Sequence, residues 1–152
     1  MFKKQTKTPE ILKKDNISLD CPESESADAI RRCGKMLVES GYVNERYIEG
    51  MIERDHSFST AIGNLIAIPH GEMKYKNEIL QTGLVVCTYP KGLNWQGEKV
   101  KLVIGIAAKG DEHLDILERI AESFEDESAV EEIVTRGDAG EIHALLTGSG
   151  TA

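Results

Sequence analysis

Leu65-Ile66-Ala67-Ile68-Pro69-His70-Gly71 is the stretch that decides how this chain is built. Its first four residues are apolar and partly β-branched, the composition of a buried strand. Pro69 has no N–H to give a sheet ladder, so the strand must stop or reach its edge there. Gly71 is expected to turn the chain with its unrestricted φ. A histidine between these two breakers is carried to the end of a rigid strand and faces outward. On the local pattern two readings stay open, a side chain that reacts with something arriving from solvent or an idle turn histidine.

Working outward, the flanking segments supply a sheet and its cover. Downstream, Leu84-Val85-Val86-Cys87-Thr88-Tyr89 reads as a strand ending at the turn Pro90-Lys91-Gly92, with Leu93-Asn94-Trp95 a short extension. Residues 100–108 form a second apolar run. At Asp111 the period becomes helical, with Leu114, Leu117, Ile120, Ala121 and Phe124 on one face and Ile116 at its edge. Ser128 and Asp138 each sit three residues before a glutamate and resemble the start of a short helix. Upstream, Ser24 and Ser26 are expected to cap a helix carrying Ala29, Ile30, Cys33, Met36 and Leu37, stopped by Gly41. Asn44 is expected to cap the next helix, whose apolar face is Tyr47, Ile48, Met51 and Ile52. Residues 16–19 suit a short first strand. The expected fold is α/β, a mixed central sheet flanked by helices on both faces.

Length and charge narrow the function. At 152 residues, the chain has enough length for one domain with a proper core. Residues 1–15, rich in lysine, are expected to be a mobile tail, residues 16–147 the domain, and 148–152 a frayed end. A formal net charge of -8 disfavours nucleic acid and anionic membrane surfaces and suits a basic protein partner. No apolar run reaches the length of a membrane span, and no apolar segment follows the first residues as in a leader. Cys21, Cys33 and Cys87 are odd in number and lack metal-ligand spacing, which suits a reduced, cytoplasmic compartment.

A constellation emerges if residues 100–108 run parallel to the His70 strand. His113, in the first turn of the helix beginning near Asp111, then shares a sheet edge with His70, where ligands of open α/β sheets collect. Free N–H groups at that helix start favour an anion by ~0.3–1 kcal/mol. Arg54, at the end of the second helix, could bring a guanidinium to the same place. Two histidines, an arginine and a helix N-terminus suit a phosphoryl group, although Asp111 and Glu112 would repel one if they faced it. Each also has an ordinary reading: Arg54, between Glu53 and Asp55, as a solvated residue, and His113 as a cap. His56 and His143 are read as surface residues. A His70–His113 metal pair lacks a third ligand, so neither metal nor cofactor is expected.

Arg54 through Gly71, reading Arg-Asp-His-Ser-Phe-Ser-Thr-Ala-Ile-Gly-Asn-Leu-Ile-Ala-Ile-Pro-His-Gly, resembles the active-site segment of the mannitol/fructose family of phosphotransferase-system (PTS) EIIA domains. Leu102-Val103-Ile104-Gly105-Ile106-Ala107-Ala108 with Asp111-Glu112-His113-Leu114 resembles that family's second signature. The resemblance covers residues 16–147 and is nearest the mannitol-specific branch. It implies a phosphohistidine relay: His70 takes a phosphoryl group from phospho-HPr, on Nε2, and passes it to a cysteine of an EIIB on a separate chain, with EIIC in the membrane. It implies that His113 hydrogen-bonds the phosphoryl group and that Arg54 contributes positive charge. Cys33-Gly34-Lys35 superficially resembles a phosphocysteine loop, but it falls inside a helix, and Cys87 falls inside a strand. Leu65 stands where many members carry glycine. A regulatory module of the same fold, controlling a protein partner through its phosphorylation state, is the alternative. The sugar meets EIIC and EIIB, so its identity is not legible here.

Overall fold

The computed structural model describes residues 10–148. Five strands form one sheet: β1 (Ile17–Ser18), β2 (Ala61–Gly63), β3 (Ile66–Ala67), β4 (Gly83–Trp95) and β5 (Glu98–Ala107), in the order β1-β4-β5-β3-β2. The long hairpin β4–β5 is antiparallel and forms the centre. β1 joins β4 in parallel, β3 joins β5 in parallel, and β2 closes the edge antiparallel to β3. The sheet is mixed, as expected.

Alternation along the hairpin divides the core in two. Val85, Cys87 and Tyr89 of β4 and Val103 and Ala107 of β5 face a cluster formed with α1 (Ser26–Glu39) and α2 (Tyr47–Ser57). Leu84, Val86, Leu102, Ile104 and Ile106 point the other way, into a cluster with α3 (Glu112–Ser123), α4 (Glu127–Arg136) and α5 (Ala139–Thr147). Period-two alternation with apolar residues on both faces requires helices on both faces. On α3 the buried stripe is Ile116, Ile120 and Phe124, with Leu117 partly buried. Each fully buried side chain of this size contributes about 1.5–3 kcal/mol. Leu114, expected on this face, is 57% exposed, and Ala121 is also exposed.

Several local expectations are corrected. Residues 10–15 are not a tail: Leu12 is fully buried, the Ile11 carbonyl accepts the Leu84 N–H, and the Glu10 carbonyl accepts the Tyr42 hydroxyl. Residues 1–9 of the expected tail and 149–152 of the expected frayed end lie outside the described residues. His143 is no idle surface residue, since its Nε2 bonds the Leu12 carbonyl at 2.8 Å and ties α5 to this segment. The strand at Leu65 is shorter than expected, two residues rather than four, because Asn64 and Leu65 take left-handed φ values of 54° and 69°. This is the conformation glycine adopts without steric cost, and Leu65 holds it with a side chain. β4 does not end at Tyr89 but runs on to Trp95 through a register shift between Thr88 and Leu93 that accommodates Pro90. Neither Ser24, Ser26 nor Asn44 caps a helix through its side chain; Glu25 and Arg46 stand at those N-caps. Asp126, not Ser128, caps α4, while Asp138 caps α5 as expected. Gly41 follows α1 with φ 82°, a left-handed stop.

Candidate active site

Parallel pairing of β3 with β5, Ile66 opposite Leu102 and Ala67 opposite Val103, sends both strands off the same sheet edge. Pro69 and His70 follow one, and the segment leading to α3 follows the other. The Ile106 N–H donates to the Pro69 carbonyl at 2.9 Å, extending the contact beyond the last paired residues. An open depression of about 560 Å³ lies at this edge, and Arg54, His70 and His113 all line it. All three site residues expected from sequence are therefore brought together.

His70 is half-buried and its ring is oriented: Nδ1 lies 2.8 Å from the Ile68 carbonyl oxygen. A carbonyl only accepts, so Nδ1 carries the proton and Nε2 holds the lone pair. Burial pushes the His70 pKa below its ordinary value against the Ile68 hydrogen bond, and the Arg54 charge and the neighbouring His113 lower it further. Glu72 acts weakly the other way. The neutral, nucleophilic ring is therefore the prevailing form at neutral pH.

Arg54 is in the last turn of α2. Its Nη1 donates to the Phe58 carbonyl, and its guanidinium lies 5.6 Å from the centre of the exposed Phe58 ring. The neighbouring Asp55 is buried. One of its carboxylate oxygens accepts from the Thr60 N–H at 2.8 Å, the Thr60 hydroxyl at 2.5 Å and Trp95 Nε1 at 2.9 Å. The other accepts from Gln96 Nε2 at 2.7 Å. This network pins the end of α2 to the β4–β5 turn and so fixes the residue before it, Arg54.

His113 is exposed, with Nδ1 3.3 Å from the Gly110 carbonyl. Asp111 stands at the N-cap of α3 but caps no amide with its side chain, which leaves the helix start open to an anion. Of the two carboxylates expected to repel a phosphoryl group, Glu112 is turned to the Thr82 hydroxyl, whereas Asp111 lines the depression. Thr82 also accepts the Lys109 N–H at 3.0 Å, tethering the loop that presents His113. His56 is exposed and does not line the depression.

Sequence reasoning missed Tyr47, Glu72 and Lys76, which also line the depression. It also misread Gly71. That residue has no left-handed φ; it is glycine because a Cβ there would lie 2.5 Å from Cε1 of Tyr47. A tyrosine on an apolar helical face reads as core, and nothing local signals where its hydroxyl goes.

Residues 10–149 match the family described as phosphoenolpyruvate-dependent sugar phosphotransferase system, EIIA 2. The mannitol-specific phosphotransferase enzyme IIA component of Staphylococcus aureus strain Mu50 is 43% identical over 137 residues, covering 90% of this chain and 95% of that protein. The mannitol-specific EIICBA component of Vibrio cholerae is 38% identical over 144 residues, 93% of this chain, which spans only 22% of that longer protein. Among solved structures, the Escherichia coli complex of enzyme IIAMTL with phosphorylated enzyme IIBMTL superposes with a TM-score of 0.81 at 36% identity, covering 88% of this chain and 95% of that one. The nitrogen regulatory protein IIA-Ntr of Neisseria meningitidis shares the fold, with a TM-score of 0.76 over 90% of this chain and 96% of that one, at 24% identity. Fold and kinship together define a phosphotransferase component. The chain belongs to the EIIA 2 family of the phosphoenolpyruvate-dependent sugar phosphotransferase system. Among the described residues, no helix is long and apolar enough to cross a membrane.

Proposed function

We propose that this protein is the EIIA phosphocarrier for uptake of mannitol or a related sugar, with His70 taking a phosphoryl group from phospho-HPr and passing it to a cysteine of EIIB. The observation that carries the reading is the 2.8 Å bond from His70 Nδ1 to the Ile68 carbonyl, which leaves Nε2 unprotonated beside Arg54 and His113. In the first transfer the Nε2 lone pair attacks phosphorus, the P–N bond to the donor histidine breaks, and the donor ring leaves with that electron pair. His70 gains positive ring character, which the Ile68 carbonyl stabilises by accepting the Nδ1 proton's hydrogen bond. In the second transfer an EIIB thiolate attacks phosphorus, and the Nε2–P bonding pair returns to a neutral imidazole. Such transfer passes through a loose state, so the protein's task is positioning and charge stabilisation. Arg54 supplies fixed positive charge, and His113 with the start of α3 supplies donors to the phosphoryl oxygens.

The partners follow from kinship and charge. The E. coli relative is found with phosphorylated enzyme IIBMTL, and the Vibrio relative is an EIICBA protein, which supports EIIB and membrane EIIC as the downstream components. A net charge of -8 suits encounter with a basic surface on HPr. The reading sets the protein in the cytoplasm.

Incubation with phosphoenolpyruvate, enzyme I and HPr, followed by mass spectrometric mapping without acid and a chase with mannitol EIIB, tests this. Acid-labile phosphate on His70 that EIIB draws off is the expected result. Phosphate on another residue, or none on a folded protein with active HPr, would sink the proposal. Phosphate on His70 that EIIB cannot remove would point to the regulatory alternative.

A further inference from the structure

We propose that Tyr47 is the positioning residue of the His70 site: its buried hydroxyl ties the peptide that follows His70 to the end of β5 and so fixes the direction in which Nε2 faces its reaction partner. The consequence for transfer rate rests on the phosphocarrier reading above; the consequence for the His70 ring does not.

The sheet stops holding this segment just where orientation is needed. β3 ends at Ala67, and Pro69 has no N–H with which to continue a ladder. The Ile68 N–H still donates to the Thr60 carbonyl at 2.9 Å and the Glu72 N–H to the Gly50 carbonyl at 3.1 Å, but the contacts immediately on either side of His70 go to one residue of β5. The Ile106 N–H donates to the Pro69 carbonyl at 2.9 Å, before His70. The Ile106 carbonyl accepts the Tyr47 hydroxyl at 2.9 Å, and that hydroxyl in turn accepts the Gly71 N–H at 2.9 Å, after His70. The phenol thus acts as a side-chain rung that extends β5 past its last strand partner. His70 hangs between two anchors that converge on one residue.

The hydroxyl suits this task. Tyr47 is 2% exposed, and its donor and acceptor capacities are both engaged. Burial pushes its pKa up to about 12, so the proton stays on oxygen and the direction of donation does not change at working pH. Its ring lies against Gly71 so closely that no larger residue fits there without movement. A ring that merely fills the core would need no hydroxyl, and phenylalanine would serve.

Tyr47→Phe separates the two roles, since it keeps the ring and leaves the Gly71 N–H and Ile106 carbonyl without their link. The full chain, labelled with 15N-histidine, is titrated by NMR in both forms. Arg54, Glu72, Lys76, Asp111 and His113 line the depression with His70 and are unchanged by the substitution, so a shift reports the loop. The expected result is a His70 midpoint that moves up toward the ordinary value and a ring that loses its preference for the Nδ1 proton. Phosphorylation by phospho-HPr is expected to slow by up to about 10²-fold, the cost of a misplacement near 1 Å. Ile133→Val, buried in α4 against the other face, serves as a destabilised control and should move neither readout.

A folded Tyr47→Phe protein with an unmoved His70 midpoint and tautomer would overturn the inference. If that variant does not fold, hydrogen exchange in the unaltered protein decides: strand-like protection of the Gly71 amide supports the link, and free exchange refutes it. Should the unaltered protein accept no phosphate, the phosphocarrier reading fails while the NMR result still judges Tyr47.

Discussion

The two histidines of the depression are held in opposite ways. His70 is half-buried, its Nδ1 engaged at 2.8 Å, and the peptides on both sides of it are tied to Ile106. His113 is exposed on the first turn of α3, with one longer contact of 3.3 Å to a glycine carbonyl. The difference matches the demands of the transfer proposed above. A nucleophile gains from being fixed in one tautomer and direction before its partner arrives. A group that donates to phosphoryl oxygens must follow them between two partners, and a lightly held ring can do so.

That contrast can be broken most severely at His70 itself. His70→Ala is expected to abolish phosphorylation by phospho-HPr while the protein stays folded by circular dichroism. Labelling equal to the unaltered protein would remove His70 from the mechanism. His113→Ala should be less severe, slowing transfer by about 10²–10³, the loss typical of one stabilising donor. The phosphate should still map to His70, and a steady-state rate with EIIB provides the measurement.

Glycines beside the two histidines sharpen the comparison. Gly71→Ala places a methyl 2.5 Å from the Tyr47 ring and should destabilise by about 1–3 kcal/mol, with a loss of transfer rate. Gly110→Ala meets nothing within 4 Å but must hold φ +59°, at a cost of about 1–2 kcal/mol. Urea midpoints should thus fall in both, but the His70 tautomer should change only in Gly71→Ala. The smallest effect is on pH dependence. Because the folded-state pKa of His70 is lowered, the unfolded chain takes up its proton first as pH falls. His70 therefore makes stability decline from about its ordinary pKa down to the lowered folded one, and His70→Gln should flatten that part of the stability profile. An unchanged slope would show that His70 is not desolvated in solution.

Much of this site was legible because its signals are local. Pro69 marks the end of a strand, and the shift from alternation to helical period near Asp111 puts His113 on a first turn. The parallel relation of the two strands was a condition the sequence left open, and the register of Ile66 with Leu102 meets it. What escaped notice depends on distant partners. Asp55, named only as a neighbour of Arg54, gave no local sign of its burial, because Thr60, Trp95 and Gln96 come to it only in the folded chain. Leu12 and His143 meet across nearly the whole sequence, so a lysine-rich stretch concealed a buried anchor. Leu114 shares the helical spacing of the core face, yet stands in solvent in the first turn of α3.

The placement of β3 has a consequence for the order of assembly. β4 and β5 are adjacent in sequence and can zip together with little loss of loop entropy. β3, only two residues long, finds a local partner in β2, but its pairing with β5 closes a long intervening chain. The β3–β5 pairing that aims His70 is therefore expected to form late in folding and to part early under stress. Mild heat or denaturant should silence the protein while most of its sheet is still formed, so competence for transfer reports the last cooperative step of folding, not the bulk of it.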